Sequence, residues 1–201
     1  MLTREQIAEH DLPTEFLTPI LPSPRYINSD EITADDKGEP ILNTNFYLVN
    51  CNLPEQEVKT GYRALWKYFN LGVKKGINQR YLCKGRSPWY MQELRPPAPL
   101  LCTYMGRRNV KSGRPFRFIL NRSKATAANV YLMLYPKPIL ESEFRRNPNL
   151  LEDIWRHLNQ ISYETMTGEG RVYGGGLHKI EPKELGNVPI DFFNVQARLF
   201  D

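Results

Sequence analysis

The chain has 201 residues, 41% of them hydrophobic and 24% charged, which suits one sizeable core of ordinary globular composition. It contains no run of about 20 apolar residues of the kind that spans a bilayer, and residues 1–11 are polar and lack the apolar segment of a secretory signal, so the expectation is a cytoplasmic protein with no membrane partner. The net charge is only +5, yet residues 59–124 hold sixteen Lys or Arg against the single acid Glu93, so that third of the chain carries +15 and the remainder −10.

In chain order, residues 1–25 contain Pro13, Pro19, Pro22 and Pro24 and read as an N-terminal tether with one short helix over 4–9 capped by Thr3. The main domain is then 26–201. Between 28 and 45, Asp30, Glu31, Asp35, Asp36 and Glu39 surround Gly38 and Pro40. A phosphate backbone would repel this acidic loop, which is expected to face away from any polyanion. A strand over 46–50 leads to a helix beginning near Pro54, with Asn52 as its cap and Glu55 and Glu57 in its first turn. Val58, Tyr62, Leu65, Trp66, Phe69 and Val73 recur on it as one apolar stripe, while Lys59, Arg63, Lys67 and Lys74 fall on a stripe about 100° around. One helix thus meets the core and a polyanion at once.

Beyond Gly76 the pattern turns to short strands, at 79–84, 89–94, 100–105, 116–120 and 130–134, punctuated by Pro and Gly. A second helix over 148–165 carries the stripe Leu150, Leu151, Ile154, Leu158 and Ile161. Residues 171–201 read as a Gly-rich turn, a short strand, a helical turn at 182–185 and a final apolar stretch. The predicted fold class is α+β: a mixed or antiparallel sheet of short strands packed with two main helices.

A folded polyanion-binding surface is the reading of the basic block, because Tyr62, Trp66, Tyr68, Tyr81, Trp89, Tyr90, Tyr104 and Phe116 are interleaved with its cations and a disordered tail would lack them. The competing explanation is that several cations only solvate strand edges. Catalytic constellations are poor. His10, His157 and His178 are scattered, no HExxH, CxxC or nucleophile elbow occurs, and Cys51, Cys83 and Cys102 form no close pair, so neither a metal site nor catalysis is expected of this chain. Gly174 to Gly176 are not followed by the Lys and Ser/Thr of a P-loop, which leaves a conformationally demanding turn, with phosphate-backbone contact as a second reading because Arg171, His178 and Lys179 flank it. The candidate contacts are Lys59, Arg63, Lys67, Arg86, Trp89, Tyr90, Arg107, Arg108, Arg114, Arg117, Arg122, Lys124, His178 and Lys179. An alternative partner is a single strand or RNA, whose bases stack on exposed aromatics.

The runs Leu21-Pro22-Ser23-Pro24-Arg25-Tyr26, Gly85-Arg86-Ser87-Pro88-Trp89-Tyr90 with Glu93, Arg95 and Pro97-Ala98-Pro99, Tyr104-Met105-Gly106-Arg107, and Arg171-Val172-Tyr173-Gly174-Gly175-Gly176-Leu177-His178-Lys179 through Glu181-Pro182, Glu184-Leu185 and Val188-Pro189 span almost the whole chain. Together they resemble the C-terminal target-recognition part of bacterial adenine-N6 DNA methyltransferases of type II restriction-modification systems. The resemblance implies a target-recognition-domain-like fold that grips double-stranded DNA, with Arg86, Trp89, Arg107, Arg114 and Arg117 in contact with it, in a parent enzyme that flips an adenine and methylates it from S-adenosylmethionine. This chain departs from a complete member of that family. It lacks the Asn/Asp-Pro-Pro-Tyr/Phe motif and the Gly-rich cofactor motif, and Asn147-Pro148-Asn149 has neither the second proline nor the stacking aromatic. The expectation is therefore a recognition domain that works with a methyltransferase domain absent from this sequence and that binds no cofactor itself.

Overall fold

The computed structural model describes residues 1–93, 95–108 and 113–190. Its centre is a four-stranded sheet in the order β2-β6-β4-β8, with β2 Glu31–Ile32, β4 Leu100–Thr103, β6 Phe118–Asn121 and β8 Tyr131–Leu134. β4 pairs antiparallel with β6 and β8, and β2 joins β6 in parallel. Alternation along two strands builds two cores. Leu100, Cys102, Phe118 and Leu120 face one side, against Leu150, Ile154 and Leu158 of α6 (Leu150–Leu158), while Leu101 and Ile119 face the other, against Leu21, Ile27 and Ile32. Full burial of each such side chain contributes roughly 1.5–3 kcal/mol.

Residues 1–25, expected as a tether, are part of the packed domain. Thr3 forms a capping box with Gln6 at the start of α1 (Arg4–Glu9), and β1 (Leu17–Leu21) is the middle strand of a second sheet, antiparallel to β3 (Phe46–Val49) and parallel to β7 (Thr126–Ala127). Leu2 and Leu12 enter a third core with Cys51, Val58, Leu65, Phe69 and Tyr90.

The expected helix from Pro54 is two helices, α2 (Glu55–Gly61) and α3 (Arg63–Lys74). Pro54 itself is the N-cap, and the chain bends at Tyr62, whose ring packs edge-on against Phe16 at 4.7 Å. Gly76, with φ 67°, ends the helical run. Residues 79–84, expected as a strand, instead turn through α4 (Tyr81–Lys84), and residues 89–93 run as coil; Leu94, the end of that second expected strand, lies outside the described residues. The expected helix at 148–165 is likewise divided. Asn159 ends α6 with its side-chain amide donating to Phe118 O and Trp155 O, and Ser162 starts α7 (Tyr163–Glu169) by accepting from Thr165 N. A further helix, α5 (Pro138–Arg146), has Pro138 at its first position.

The third sheet has the order β5-β10-β9, from β5 (Met105–Arg107), β9 (Arg171–Tyr173) and β10 (Leu177–Lys179). α8 (Pro182–Asn187) follows; the final apolar stretch read at the C-terminus falls on residues 191–201, outside those described. The expected α+β class with mixed and antiparallel sheets holds. No helix among the described residues is long and apolar enough to cross a membrane.

Candidate nucleic-acid interface

Helical spacing divides α2 and α3 between core and water. Val58, Leu65 and Phe69 are buried, and Phe69 stacks on Tyr90 at 4.0 Å with rings 10° apart. Lys59, Arg63 and Lys67 follow one another at i, i+4 on the opposite side, and Lys74 comes two turns later. With Trp66, Asn70 and Leu71 these four cations line an open groove of about 470 Å³. All four are exposed, and none pairs with a carboxylate among the described residues. Like charges held this close repel one another and lower the cost of accepting a polyanion.

A second basic surface is the outer face of the β5-β10-β9 sheet. The register places Arg107, Leu177 and Tyr173 in one row and Met105, Lys179 and Arg171 in another row of the same face, while His178 points inward between them. Gly106 permits this arrangement, because a Cβ there would lie 1.8 Å from Pro115 O. The β9-β10 turn, Gly174 to Gly176, puts Gly175 at φ 72° and Gly176 at φ 68°, as expected for a turn that demands glycine, and Arg107 Nε donates to Gly175 O at 3.3 Å. Arg108 lies over the Tyr163 ring at 4.6 Å and donates to Gly113 O at 3.1 Å.

Other candidates are committed inside the protein. Arg117 donates through Nε to Asp30 at 2.6 Å and through its two terminal nitrogens to Ile27 O at 2.8 Å, Ser29 O at 2.9 Å and Pro24 O at 3.3 Å. Arg122 bridges Glu31 at 2.5 Å and Glu152 at 3.0 Å, which raises its pKa, the Glu31 bond most of all. The acidic loop is thus not set apart from the basic block, as expected, but neutralises two of its arginines. Arg86 donates to Met91 O and Gln92 Oε1, and Arg114 to the backbone and side-chain oxygens of Asn159. Tyr90, 4% exposed, donates to Leu53 O at 2.6 Å; burial pushes its hydroxyl up to about 12. Trp89 packs on Phe69 and Gly72.

His178 is 5% exposed, set edge-on to Phe116 and Tyr163, with Nε2 3.2 Å from the Tyr163 hydroxyl. Lys179 pairs with Glu181 at 2.6 Å and lies over Tyr104; the Glu181 bond holds its ammonium well above the usual lysine range and Glu181 below the usual carboxylate range. Lys124 is exposed and lays its methylenes along Gly38. Lys59, Arg63, Lys67, Arg107, Arg108 and Lys124 are exposed candidates, and Arg122 is exposed as well but paired with Glu31 and Glu152. The candidate contacts drawn from the sequence left out Arg80 and Lys84, which fell in an expected strand, and Tyr173; Tyr81 was read only as one of the interleaved aromatics, and Arg171 only as a flank of the glycine turn. No cluster of three or more His, Cys, Asp or Glu suited to a metal occurs among the described residues.

Comparison with known proteins adds an independent line. Residues 1–200 match the family described as the C-terminal domain of type II methyltransferase M.Eco57I. Type II methyltransferase M.XamI of Xanthomonas campestris pv. amaranthicola is 36% identical over 128 residues, 64% of this chain and 21% of that protein. Type II methyltransferase M.AccI of Acinetobacter calcoaceticus is 24% identical over 180 residues, 88% of this chain and 30% of that protein. The chain therefore spans between a fifth and a third of the relatives it matches. No solved structure gives a significant match.

Proposed function

Because the chain belongs to the family of the C-terminal domain of type II methyltransferase M.Eco57I, we propose that it binds double-stranded DNA as the target-recognition part of an adenine-N6 DNA methyltransferase in a cytoplasmic restriction-modification system. One observation carries the reading: Lys59, Arg63, Lys67 and Lys74 surround a groove with no carboxylate partner among the described residues, and a duplex supplies the missing negative charge. The outer face of the β5-β10-β9 sheet is the second contact, where Arg107 and Tyr173 flank a glycine turn that lets the backbone approach a phosphate. Arg117 and Arg122 are supports of the fold, since their guanidinium groups serve Asp30, Glu31 and Glu152.

S-adenosylmethionine belongs to the methyltransferase portion that this domain serves. The glycines of this chain do not fit the cofactor: Gly174 to Gly176 join two antiparallel strands, whereas the dinucleotide-type glycine turn leads from a strand into a helix N-terminus. Catalysis and base flipping are accordingly assigned to that portion, and gripping and reading to this one. The single-strand alternative loses support because seven of the eight aromatics interleaved with the cations are buried or half-buried and only Tyr81 is exposed.

Selection from a random duplex library at two salt concentrations tests the reading. Binding is expected to fall linearly in log salt, by about 0.9 log units per phosphate neutralised, and a short motif is expected to survive the higher salt. A flat salt response, or tighter binding to single strands than to duplex, overturns it.

A further inference from the structure

Between Lys75 and Trp89 the chain packs its inner side along the core, since Lys75, Ile77, Cys83 and Trp89 border one cavity beside Phe69 and Gly72. On the outer side of this loop α4 exposes Tyr81 by 91% and Leu82 by 69%. Of the eight aromatics interleaved with the basic block, Tyr81 alone is exposed. The loop is tied by Arg86, whose backbone N donates to Cys83 O at 3.1 Å, closing the turn after α4, and whose side chain donates to Met91 O at 3.0 Å. An uncovered ring on such a tied loop is a poor arrangement for water and a good one for stacking.

The surroundings select the occupant. Lys74, Lys75, Arg80 and Lys84 flank Tyr81 and Leu82, the sequence has no acid between Glu57 and Glu93, and none of the four cations forms an ion pair among the described residues. An apolar protein surface would match Tyr81 and Leu82 but leave four cations unanswered, whereas DNA offers flat base faces and phosphates together. We propose that Tyr81 is a wedge that enters the base stack of a duplex, with Leu82 against the opened step and Arg80 and Lys84 on the adjoining phosphates. This rests on the DNA-binding reading above and adds to it a deformation of the DNA made by this domain.

The test compares two short duplexes of one sequence, one intact and one with a single abasic site, each carrying 2-aminopurine beside the site. An abasic gap spares the cost of unstacking, so the unaltered chain is expected to bind that duplex about tenfold more tightly and to raise 2-aminopurine fluorescence on the intact one. Tyr81→Ala is expected to weaken intact-duplex binding about tenfold and to abolish both the preference and the fluorescence rise, with the salt slope unchanged; Tyr81→Trp is expected to retain them. Equal behaviour of Tyr81→Ala and the unaltered chain on both duplexes overturns the wedge while leaving DNA binding standing. Failure of the unaltered chain to bind either duplex overturns the DNA-binding reading itself.

Discussion

Two sets of cations that look alike in the sequence have opposite fates in the fold. Lys59, Arg63, Lys67 and Lys74 on α2 and α3 stand around an open groove with no acid among the described residues, whereas Arg117 and Arg122, at the two ends of β6, are held by Asp30, Glu31, Glu152 and three backbone carbonyls. Density of positive charge in the sequence therefore does not settle which cations are available; only the partners of each residue show that. The first set is expected to govern affinity, and the second stability.

The sharpest way to break this division is to remove each set in turn. Lys59→Ala/Arg63→Ala/Lys67→Ala is expected to lower duplex affinity about a hundredfold and flatten the salt slope by roughly 2.7, three contacts' worth, in fluorescence anisotropy titrations, while its urea midpoint stays close to that of the unaltered chain. Arg117→Ala is expected to do the reverse. Losing the guanidinium leaves Asp30 and the carbonyls of Ile27 and Ser29 without the donor that Arg117 supplies, while Pro24 O keeps its bond from Ile27 N, for a cost of about 2–3 kcal/mol in urea unfolding, and the folded protein should keep its DNA affinity. A variant that loses DNA binding while remaining fully stable would move Arg117 into the first set.

Smaller effects sharpen the same contrast from the side of the core beneath α3. Burial raises the Tyr90 hydroxyl from 10 to about 12, so between these values the unfolded chain loses a proton that the folded chain keeps. The contribution of Tyr90 is fully present below pH 10 and is lost as pH rises toward 12, by up to about 1.4 kcal/mol per pH unit, readable as a declining urea midpoint. Tyr131, also raised by burial, adds to the decline, so Tyr90→Phe should make it shallower without abolishing it. At neutral pH that variant gives up only the bond to Leu53 O, about 1 kcal/mol. Arg122→Ala, with its partly exposed pairs, is expected to cost no more than about 1 kcal/mol.

Local signals in the sequence carried the local structure well. Thr3 marked the start of α1, the apolar stripes marked the buried faces of α3 and α6, and the strand expected from Leu100 is β4. The helix breaks were also written there, in Asn159 followed by Ser162 and in Pro138 at the start of α5, but the strength of the apolar periodicity masked them. Residues 79–84 misled because Tyr, Leu and Cys favour strands only where a sheet surface receives them, and Tyr81 and Leu82 meet none. Cation pairing was illegible for a different reason: Arg117 and Asp30 lie 87 residues apart, and no spacing rule reaches across that distance. The grouping of exposed cations on α2 and α3, by contrast, follows from helical spacing alone and was readable in advance.

The position of β1 bears on how such domains can be exchanged. A recognition unit transplanted with a junction at residue 26, where the proline-rich stretch ends, would leave behind the strand that lies between β3 and β7, and with it Leu21, which has no exposed surface, and the Pro22 carbonyl that receives the Tyr131 hydroxyl at 2.7 Å. The graft would carry two bare strand edges open to pairing with any neighbouring chain. A junction that retains β1 keeps the seam closed, so the segment that looks most like a disposable linker has to travel with the rest.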